Sequence, residues 1–108
     1  MKIAFVYFTL NAESVCDWDA ALAALGKQSL QPDLCLLADS ESNDGTVQLA
    51  RRYGWEIYPV KRREFNHGRT RDEVMRHLNA RGFDIAVFAS QAVIPAIPDS
   101  LKYLVGFL

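Results

Sequence analysis

The sequence is poor in the features that mark secreted, membrane-spanning or nucleic-acid-binding proteins. Its only cysteines, Cys16 and Cys35, are too few and too far apart to predict a metal knuckle, and we interpret both as reduced thiols in or near the core. No apolar stretch is long enough to span a bilayer, and no signal-cleavage pattern follows the N-terminus, so we expect a cytoplasmic protein. A net charge of −1 argues against binding to nucleic acids or anionic membranes through overall charge.

The composition is otherwise that of an ordinary globular protein. Half of the 108 residues are hydrophobic and 23% are charged. A chain of this length can bury roughly two thirds of its unfolded surface and needs no staple. We therefore expect residues 1–108 to form a single domain.

Strand patterns recur along the whole chain. Residues 2–8, 34–38, 55–60 and 84–90 are typical of strands, and Pro59 favours an edge position for the third. The continuous apolar run at 34–38 is the pattern of a strand buried on both faces of a parallel sheet.

Helical patterns separate these strands. They end at Gly26, Gly54 and Gly82, a residue type that commonly closes helices. The order β-α-β-α-β-α-β predicts an α/β fold, a mainly parallel sheet of about four strands with helices on both faces. In the first helix, the face predicted to contact the core comprises Val15, Trp18, Leu22 and Leu25.

Polar residues follow each strand. Because parallel strands end at one edge of their sheet, residues 9–11, 39–42, 61–63 and 90–92 are predicted to lie along a common rim, where ligands of open parallel sheets bind. We call this edge the rim.

Asp39 opens what we call the acidic loop, residues 39–46, and is the strongest candidate on the rim. The turn itself does not require a carboxylate there, and Asp39 can accept hydrogen bonds from the imide or amide edge of a base or from a sugar hydroxyl. Thr9 and Asn11 can flank it. For the rest of the loop, turn formation is at least as good an interpretation as ligand binding, which concerns Asn43, Asp44 and Gly45.

Residues 61–71 (KRREFNHGRTR), which we call the basic loop, lead into a predicted helix. Helix N-terminal amides favour anions, so this loop suits a phosphate-bearing ligand. We interpret Lys61 and Arg62 as solvated charges. The preferred anion ligand is Arg71, which follows a cap-like turn formed by Asn66, His67 and Gly68.

Two kinds of chemistry find no support in the spacing of residues. His67 and His77 lack partners at ligand spacing, so a zinc site is not predicted. No nucleophile and base are paired by sequence spacing alone.

Several stretches resemble a known family. ADSESNDGT resembles the acidic loop of family 2 glycosyltransferases of the GT-A type, and FVYFTLN resembles their opening strand and nucleotide loop. EFNHGRTRD resembles the FNHG-x-TRN segment of the rhamnosyltransferase-like members. DIAVFASQAVIPA resembles a strand and loop that these members write approximately as VFLTQDAVPA. The resemblance follows nearly the whole chain in order.

This resemblance implies the N-terminal nucleotide-sugar-binding half of an inverting glycosyltransferase, with the nucleotide-diphospho-sugar transferase fold. The implied donor is a UDP- or dTDP-sugar, with Thr9 and Asp39 near the base and ribose and Arg71 near the pyrophosphate. The residues assigned to the nucleotide-sugar site are Thr9, Asn11, Asp39, Ser42, Asn66, His67, Gly68, Arg71 and Gln91.

Two departures from the family matter for activity. Where the family has a carboxylate that holds Mg or Mn on the pyrophosphate, this sequence reads Gln91, Ala92, Val93, and neither an amide nor a methyl replaces a hard-cation ligand. The chain also stops about where the family's acceptor half, with its catalytic base, would follow. The resemblance thus implies a truncated, donor-binding half without its metal ligand or general base, and no catalytic residue is assigned.

Alternatives stay open. The chain can be a non-catalytic relic that acts as a binding or oligomerisation module. A receiver-like switch that uses Asp39 as acceptor carboxylate is less well supported, because Thr9 and Asn11 stand where such a site needs an acidic pair. Residues 101–108 (LKYLVGFL) are apolar around a short predicted helix, from Leu101 to Leu108, and predict a homodimer or partner chain at this segment.

Overall fold

A computed structural model describes residues 1–27, 31–90 and 106–107, with the backbone alone at residues 67, 90, 106 and 107. Within these residues one sheet has the strand order β3-β2-β1-β4-β5. The first four strands in the chain are parallel, and β5 is antiparallel to β4. This confirms the predicted sheet. The strands are β1 Ile3–Thr9, β2 Leu34–Asp39, β3 Glu56–Pro59, β4 Ile85–Ser90 and β5 Gly106–Phe107.

The helices of the described chain fill the predicted intervals. None of them is long and apolar enough to cross a membrane. Gly54 and Gly82, which follow two of them, have positive φ angles of 87° and 85°, as expected for residues that close a helix. The helices are α1 Ala12–Val15, α2 Trp18–Gly26, α3 Thr46–Arg52 and α4 His67–Ala80, and a 3-10 turn spans Arg62–Glu64.

The first predicted helix is divided in two. Cys16 has an extended backbone, and the Asp17 side chain accepts a hydrogen bond from the Ala20 N–H as the N-cap of α2. Since this cap starts a new helix, Val15 is left outside the core with 64% of its surface exposed, and its prediction as a core residue is wrong. Trp18, Leu22 and Leu25 are buried as predicted.

The C-terminal segment also differs from its prediction. A helix over residues 101–108 is wrong at Gly106 and Phe107, which form β5 and pair with Ala86 and Ile85 of β4. The backbone groups along β4 provide these partners, and an all-round apolar pattern suits a buried strand as well as a helix. The rest of that segment, with the interface predicted there, lies outside the described residues.

The sheet separates two hydrophobic layers. Helices α1–α3 cover one face, which we call the α3 face, and α4 covers the other, which we call the α4 face. Side chains alternate between these faces along each strand. In β1, Phe5 and Tyr7 belong to the α3 face while Val6 and Phe8 belong to the α4 face.

The carboxyl ends of the parallel strands meet at one level. Thr9 is in register with Asp39, and Asp39 is in register with Pro59. The predicted rim is therefore confirmed for the residues that follow β1, β2 and β3. Because β2 lies on one side of β1 and β4 on the other, the strand order reverses between β1 and β4, and this is the position at which open α/β sheets bind ligands.

Candidate functional site

Asp39 is a buried carboxylate at the end of β2, with 4% of its surface exposed. Its Oδ1 accepts hydrogen bonds from the hydroxyls of Thr9 (2.8 Å) and Ser42 (2.5 Å), and its Oδ2 accepts one from the Ser42 N–H (2.9 Å). The structure thus brings together Thr9, Asp39 and Ser42. The expectation that the turn does not need this carboxylate is wrong, because Asp39 satisfies the Ser42 N–H and so shapes the loop.

Asn11 joins this group from the end of β1. Its φ of 50° and ψ of 46° lie in the left-handed region, which asparagine tolerates better than most residues. In this conformation its N–H donates to the Ser42 hydroxyl (2.8 Å), and its side-chain oxygen accepts from the Asn43 N–H (2.8 Å). The Ser42 hydroxyl therefore links Asn11 to Asp39 in one chain of hydrogen bonds.

The group retains acceptor capacity for a ligand. A carboxylate offers about four lone-pair sites. Two are used on Oδ1 of Asp39 and one on Oδ2, all by the donors of Thr9 and Ser42. Among the hydrogen bonds of the described residues, one acceptor position on Oδ2 stays unused, so Asp39 has the capacity to accept one further N–H or O–H donor.

The rest of the acidic loop is tied to α1. Asp44 accepts hydrogen bonds from the N–H and hydroxyl of both Ser14 and Thr46. Burial alone would raise the pKa of the Asp44 carboxyl, but these hydrogen bonds outweigh it and lower the pKa below its ordinary value. The Gly45 N–H donates to Glu13 (2.9 Å), and a Cβ at Gly45 would overlap that carboxylate. The structure supports turn formation and loop anchoring for residues 43–45.

Sequence reasoning missed the contribution of α1. Neither Glu13 nor Ser14 was expected to take part, although both bond to the acidic loop. An acid and a hydroxyl after the first strand are the available signal, and they equally suit an exposed helix.

Arg62 connects the basic loop to the acidic loop. The Arg62 guanidinium donates to the carbonyls of Ser40 (3.4 Å) and Glu41 (2.9 Å). The backbone N–H of Arg62 donates to the Glu41 carboxylate (2.7 Å). Lys61 and Arg62 are both exposed, as expected for solvated charges, but Arg62 in addition bonds to the acidic loop, which the sequence did not predict. An open depression of about 660 Å³ beside these contacts is lined by Glu41, Lys61, Arg62 and Arg63.

Arg71 lies on the other face of the sheet. Asn66 caps α4 by accepting from the Arg69 N–H (3.1 Å), which confirms the predicted cap, and Gly68 lies in the first turn. The exposed Arg71 has its guanidinium carbon 5.9 Å from the ring centre of Phe88, on the α4 face. The structure does not bring Arg71 into contact with the Asp39 group. The side chain of His67, and Gln91 as a whole, lie outside the described part of the chain.

Within residues 1–27 and 31–90, no cluster of His, Cys, Asp or Glu can hold a metal ion. Positions 91–93, where the family's metal carboxylate is replaced, are not among them, so the loss of a Mg or Mn site stays a prediction. Cys16 and Cys35 are half-buried and not disulfide-bonded, as predicted, and burial raises the pKa of the Cys35 thiol to about 11.

Comparison with curated proteins finds two relatives that align with almost the whole chain, although no protein-family model matches it. The sequence is 37% identical to the O-antigen chain rhamnosyltransferase RfbN of Salmonella typhimurium, over 99% of this chain and 33% of RfbN. It is 35% identical to the O-antigen chain rhamnosyltransferase WbaN of Salmonella anatum, over 91% of this chain and 30% of WbaN. The chain spans about a third of the length of these relatives.

Solved structures share the fold. The mannosyltransferase PcManGT from Pyrobaculum calidifontis, in complex with GDP-Man and Mn2+, matches with a TM-score of 0.67 and 20% identity, over 93% of this chain and 30% of that one. Residues 1–349 of S. aureus TarS, in complex with UDP, match with a TM-score of 0.67 and 21% identity, over 94% and 30% of the two chains. At these identities the likeness establishes the fold alone.

Proposed function

We propose that this chain, which is similar to O-antigen rhamnosyltransferases along about a third of their length and shares the fold of GT-A glycosyltransferases, binds a nucleoside-diphosphate sugar at its rim. The observation that carries the proposal is the group formed by the buried Thr9 and Asp39 with the half-buried Ser42, whose described hydrogen bonds leave one acceptor position of Asp39 unused. In this proposal residues 1–108 form one nucleotide-sugar-binding domain.

The chemistry of Asp39 favours particular bases. Its carboxylate accepts the N3–H of uracil or thymine, whereas N3 of cytosine is itself an acceptor and would meet the carboxylate unfavourably. The N1–H of guanine is also a suitable donor, so the Asp39 carboxylate argues against cytosine rather than for a single base; among the bases that fit we propose a uridine or thymidine diphosphate sugar as the donor. UDP in the TarS structure is consistent with this choice, since that base carries the required N–H.

The position of Arg71 suggests the course of the ligand. Thr9 and Asp39 are two positions beyond Tyr7 and Leu37, so they lie on the α3 face, whereas Arg71 lies beside Phe88 on the α4 face. A ligand that contacts both must cross the rim, and the reversal of strand order between β1 and β4 provides the crevice for it. In the proposal, the base lies by Asp39 and the pyrophosphate extends towards Arg71 and the N-terminus of α4. Sugar transfer itself is not assigned to any described residue.

The experiment measures nucleotide binding by thermal shift and titration calorimetry. UDP or dTDP at about ten times its Kd should stabilise the protein by about 1.4 kcal/mol, and CDP should do so much less. Asp39→Asn keeps the shape of the side chain but presents donors to the base, so it should abolish the shift. Asp44→Asn, the same substitution elsewhere in the acidic loop, should lower the melting temperature and preserve the shift.

Two results would contradict the proposal. One is the absence of any shift with UDP and dTDP at millimolar concentration, which would favour a non-catalytic module. The other is an unchanged shift in Asp39→Asn, which would mean that the base does not bind at this carboxylate.

A second experiment tests the pyrophosphate contact. Arg71→Met should weaken binding of UDP but not of uridine, whereas Arg76→Met on the same helix should weaken neither.

A further inference from the structure

The side chain of Glu41 hydrogen-bonds to the backbone of Arg62, and the side chain of Arg62 hydrogen-bonds to the backbone of Glu41. Oε1 of Glu41 accepts from the Arg62 N–H (2.7 Å), while the Arg62 guanidinium donates to the carbonyls of Glu41 (2.9 Å) and Ser40 (3.4 Å). Each side chain bonds to main-chain atoms of the other loop, so replacing one side chain leaves the partner atoms of the other in place. We call this pair the clamp.

The backbone of Glu41 lies in the left-handed region, which is unfavourable for a glutamate. Its φ is 58°, and among the described residues other than glycine only Asn11 shares a positive φ. Asparagine tolerates this region. A glutamate in it is destabilised by the close approach of its Cβ to the backbone, and a glycine, which has no Cβ, is not. Stability alone would therefore favour glycine at position 41. Strained residues persist where the surrounding structure requires them, and they cluster at functional sites.

The strain lies at the point where the acidic loop turns back over Asp39. Asp39 is held on both sides, because its carbonyl accepts from the Val60 N–H (2.8 Å) and the next N–H, of Ser40, donates to the Thr9 carbonyl (2.9 Å). The chain must then reverse within Glu41 for the Ser42 N–H and hydroxyl to reach the Asp39 carboxylate. The clamp stabilises this reversal, because Arg62, which follows β3, bonds to both the backbone and the side chain of Glu41.

We propose that Glu41 and Arg62 are positioning residues of the nucleotide site. They keep the acidic loop in the conformation in which Asp39 presents its open acceptor position before the ligand arrives, and this role rests on the nucleotide binding proposed above. Preorganisation raises affinity because the ligand no longer has to order the loop. The strained backbone of Glu41 lowers the stability of the protein, and in return the acidic loop is ordered before the ligand binds.

The test compares substitutions of Glu41 by urea unfolding and by calorimetry with UDP. If the released loop is binding-competent about a tenth of the time, Glu41→Gly weakens UDP binding roughly tenfold. Its urea midpoint should not fall, because glycine relieves the strain as the bond to Arg62 is lost. Glu41→Gln keeps an acceptor oxygen for the Arg62 N–H and should retain the affinity of the unmodified protein. A purely structural role would lower stability and affinity together.

Arg62 provides the second half of the test. Arg62→Met should weaken UDP binding severalfold, whereas Arg63→Met, a matched change at the neighbouring exposed arginine, should not. Without nucleotide, the Ser42 amide should exchange hydrogen faster in Glu41→Gly and Arg62→Met than in the unmodified protein. Unchanged exchange, or UDP affinity indifferent to both substitutions, would overturn this role alone. Failure of the unmodified protein to bind any nucleoside diphosphate would instead overturn the proposed function and this role with it.

Discussion

The acidic loop and the start of the basic loop lie side by side on the rim but are held differently. In the acidic loop, short side chains bond to nearby backbone donors and hydroxyls, as Asp39 does to Ser42 and Asp44 to Thr46. In residues 61–63 the side-chain bonds that the structure describes come from Arg62 and run to the acidic loop. The acidic loop is thus held largely by short side chains, whereas the start of the basic loop is held through the one long side chain of Arg62.

The difference reflects side-chain length. Aspartate, serine and threonine reach backbone groups a few residues away and lose little rotamer freedom in doing so. Lysine and arginine lose far more conformational entropy when they are fixed, so they stay in solvent unless a specific partner is present. We therefore expect the acidic loop to have its bound shape without ligand, while the side chains of Lys61 and Arg63 stay in solvent.

The largest expected effect comes from removing the anchor of the acidic loop on α2. Trp18 is 1% exposed, and its indole N–H donates to the Thr46 carbonyl (3.0 Å). Trp18→Ala removes a buried ring and leaves that carbonyl without its donor, which should cost about 3–5 kcal/mol of unfolding free energy. Trp18→Phe keeps an aromatic ring and should cost about 1–3 kcal/mol.

Urea unfolding followed by far-UV circular dichroism measures both Trp18 variants. If Trp18→Ala cost less than about 1 kcal/mol, the loop would not depend on α2, and its organisation would come from its own hydrogen bonds alone.

Asp44 gives an intermediate effect with a defined pH dependence. Asp44→Asn disrupts the bonds to Ser14 and Thr46 and should cost about 1–2 kcal/mol at pH 7. The pKa of Asp44 is lowered on folding, so its contribution is present above the ordinary value of 3.8 and is lost as the pH falls through the folded value.

The stability difference between the unmodified protein and Asp44→Asn should therefore shrink in acid. Urea unfolding at pH 7 and at about pH 3 tests this, with Asp72→Asn on the exposed side of α4 as a control that should change little at either pH. A difference of the same size at both pH values would show that the charge of Asp44 is not what stabilises the loop.

Much of the fold follows from local pattern. The continuous apolar run before Asp39 predicts a strand buried on both faces, and Pro59 predicts the edge position of β3, because a proline cannot donate to a sheet. The division of the first helix could not be predicted from spacing. Val15, Trp18, Leu22 and Leu25 fit one helical face, and the outcome depended on Asp17 capping a new helix.

The candidate site was predictable only where sheet topology controls it. Thr9 and Asp39 meet because parallel strands end together, and any sequence with this strand order would bring those positions side by side. The contacts of Glu41 with Arg62 depend on a left-handed backbone at a glutamate, which its residue type argues against. The placement of Arg71 on the opposite face depends on which side of the sheet α4 packs, and a helical stripe carries no information about that side.

The smallest expected effect separates the arginines of the basic loop. Arg63 is exposed and makes no hydrogen bond to another described residue, so Arg63→Ala should change the unfolding free energy by less than about 0.5 kcal/mol. Arg62→Ala removes the bonds to two carbonyls and should cost about 0.5–1 kcal/mol. Because those acceptors are uncharged, the cost should persist at about 1 M salt, where the attraction between exposed ions is largely screened. Urea unfolding at low and high salt measures both variants. Equal losses in Arg62→Ala and Arg63→Ala, or a loss in Arg62→Ala that salt removes, would mean that general charge attraction rather than the clamp joins the two loops.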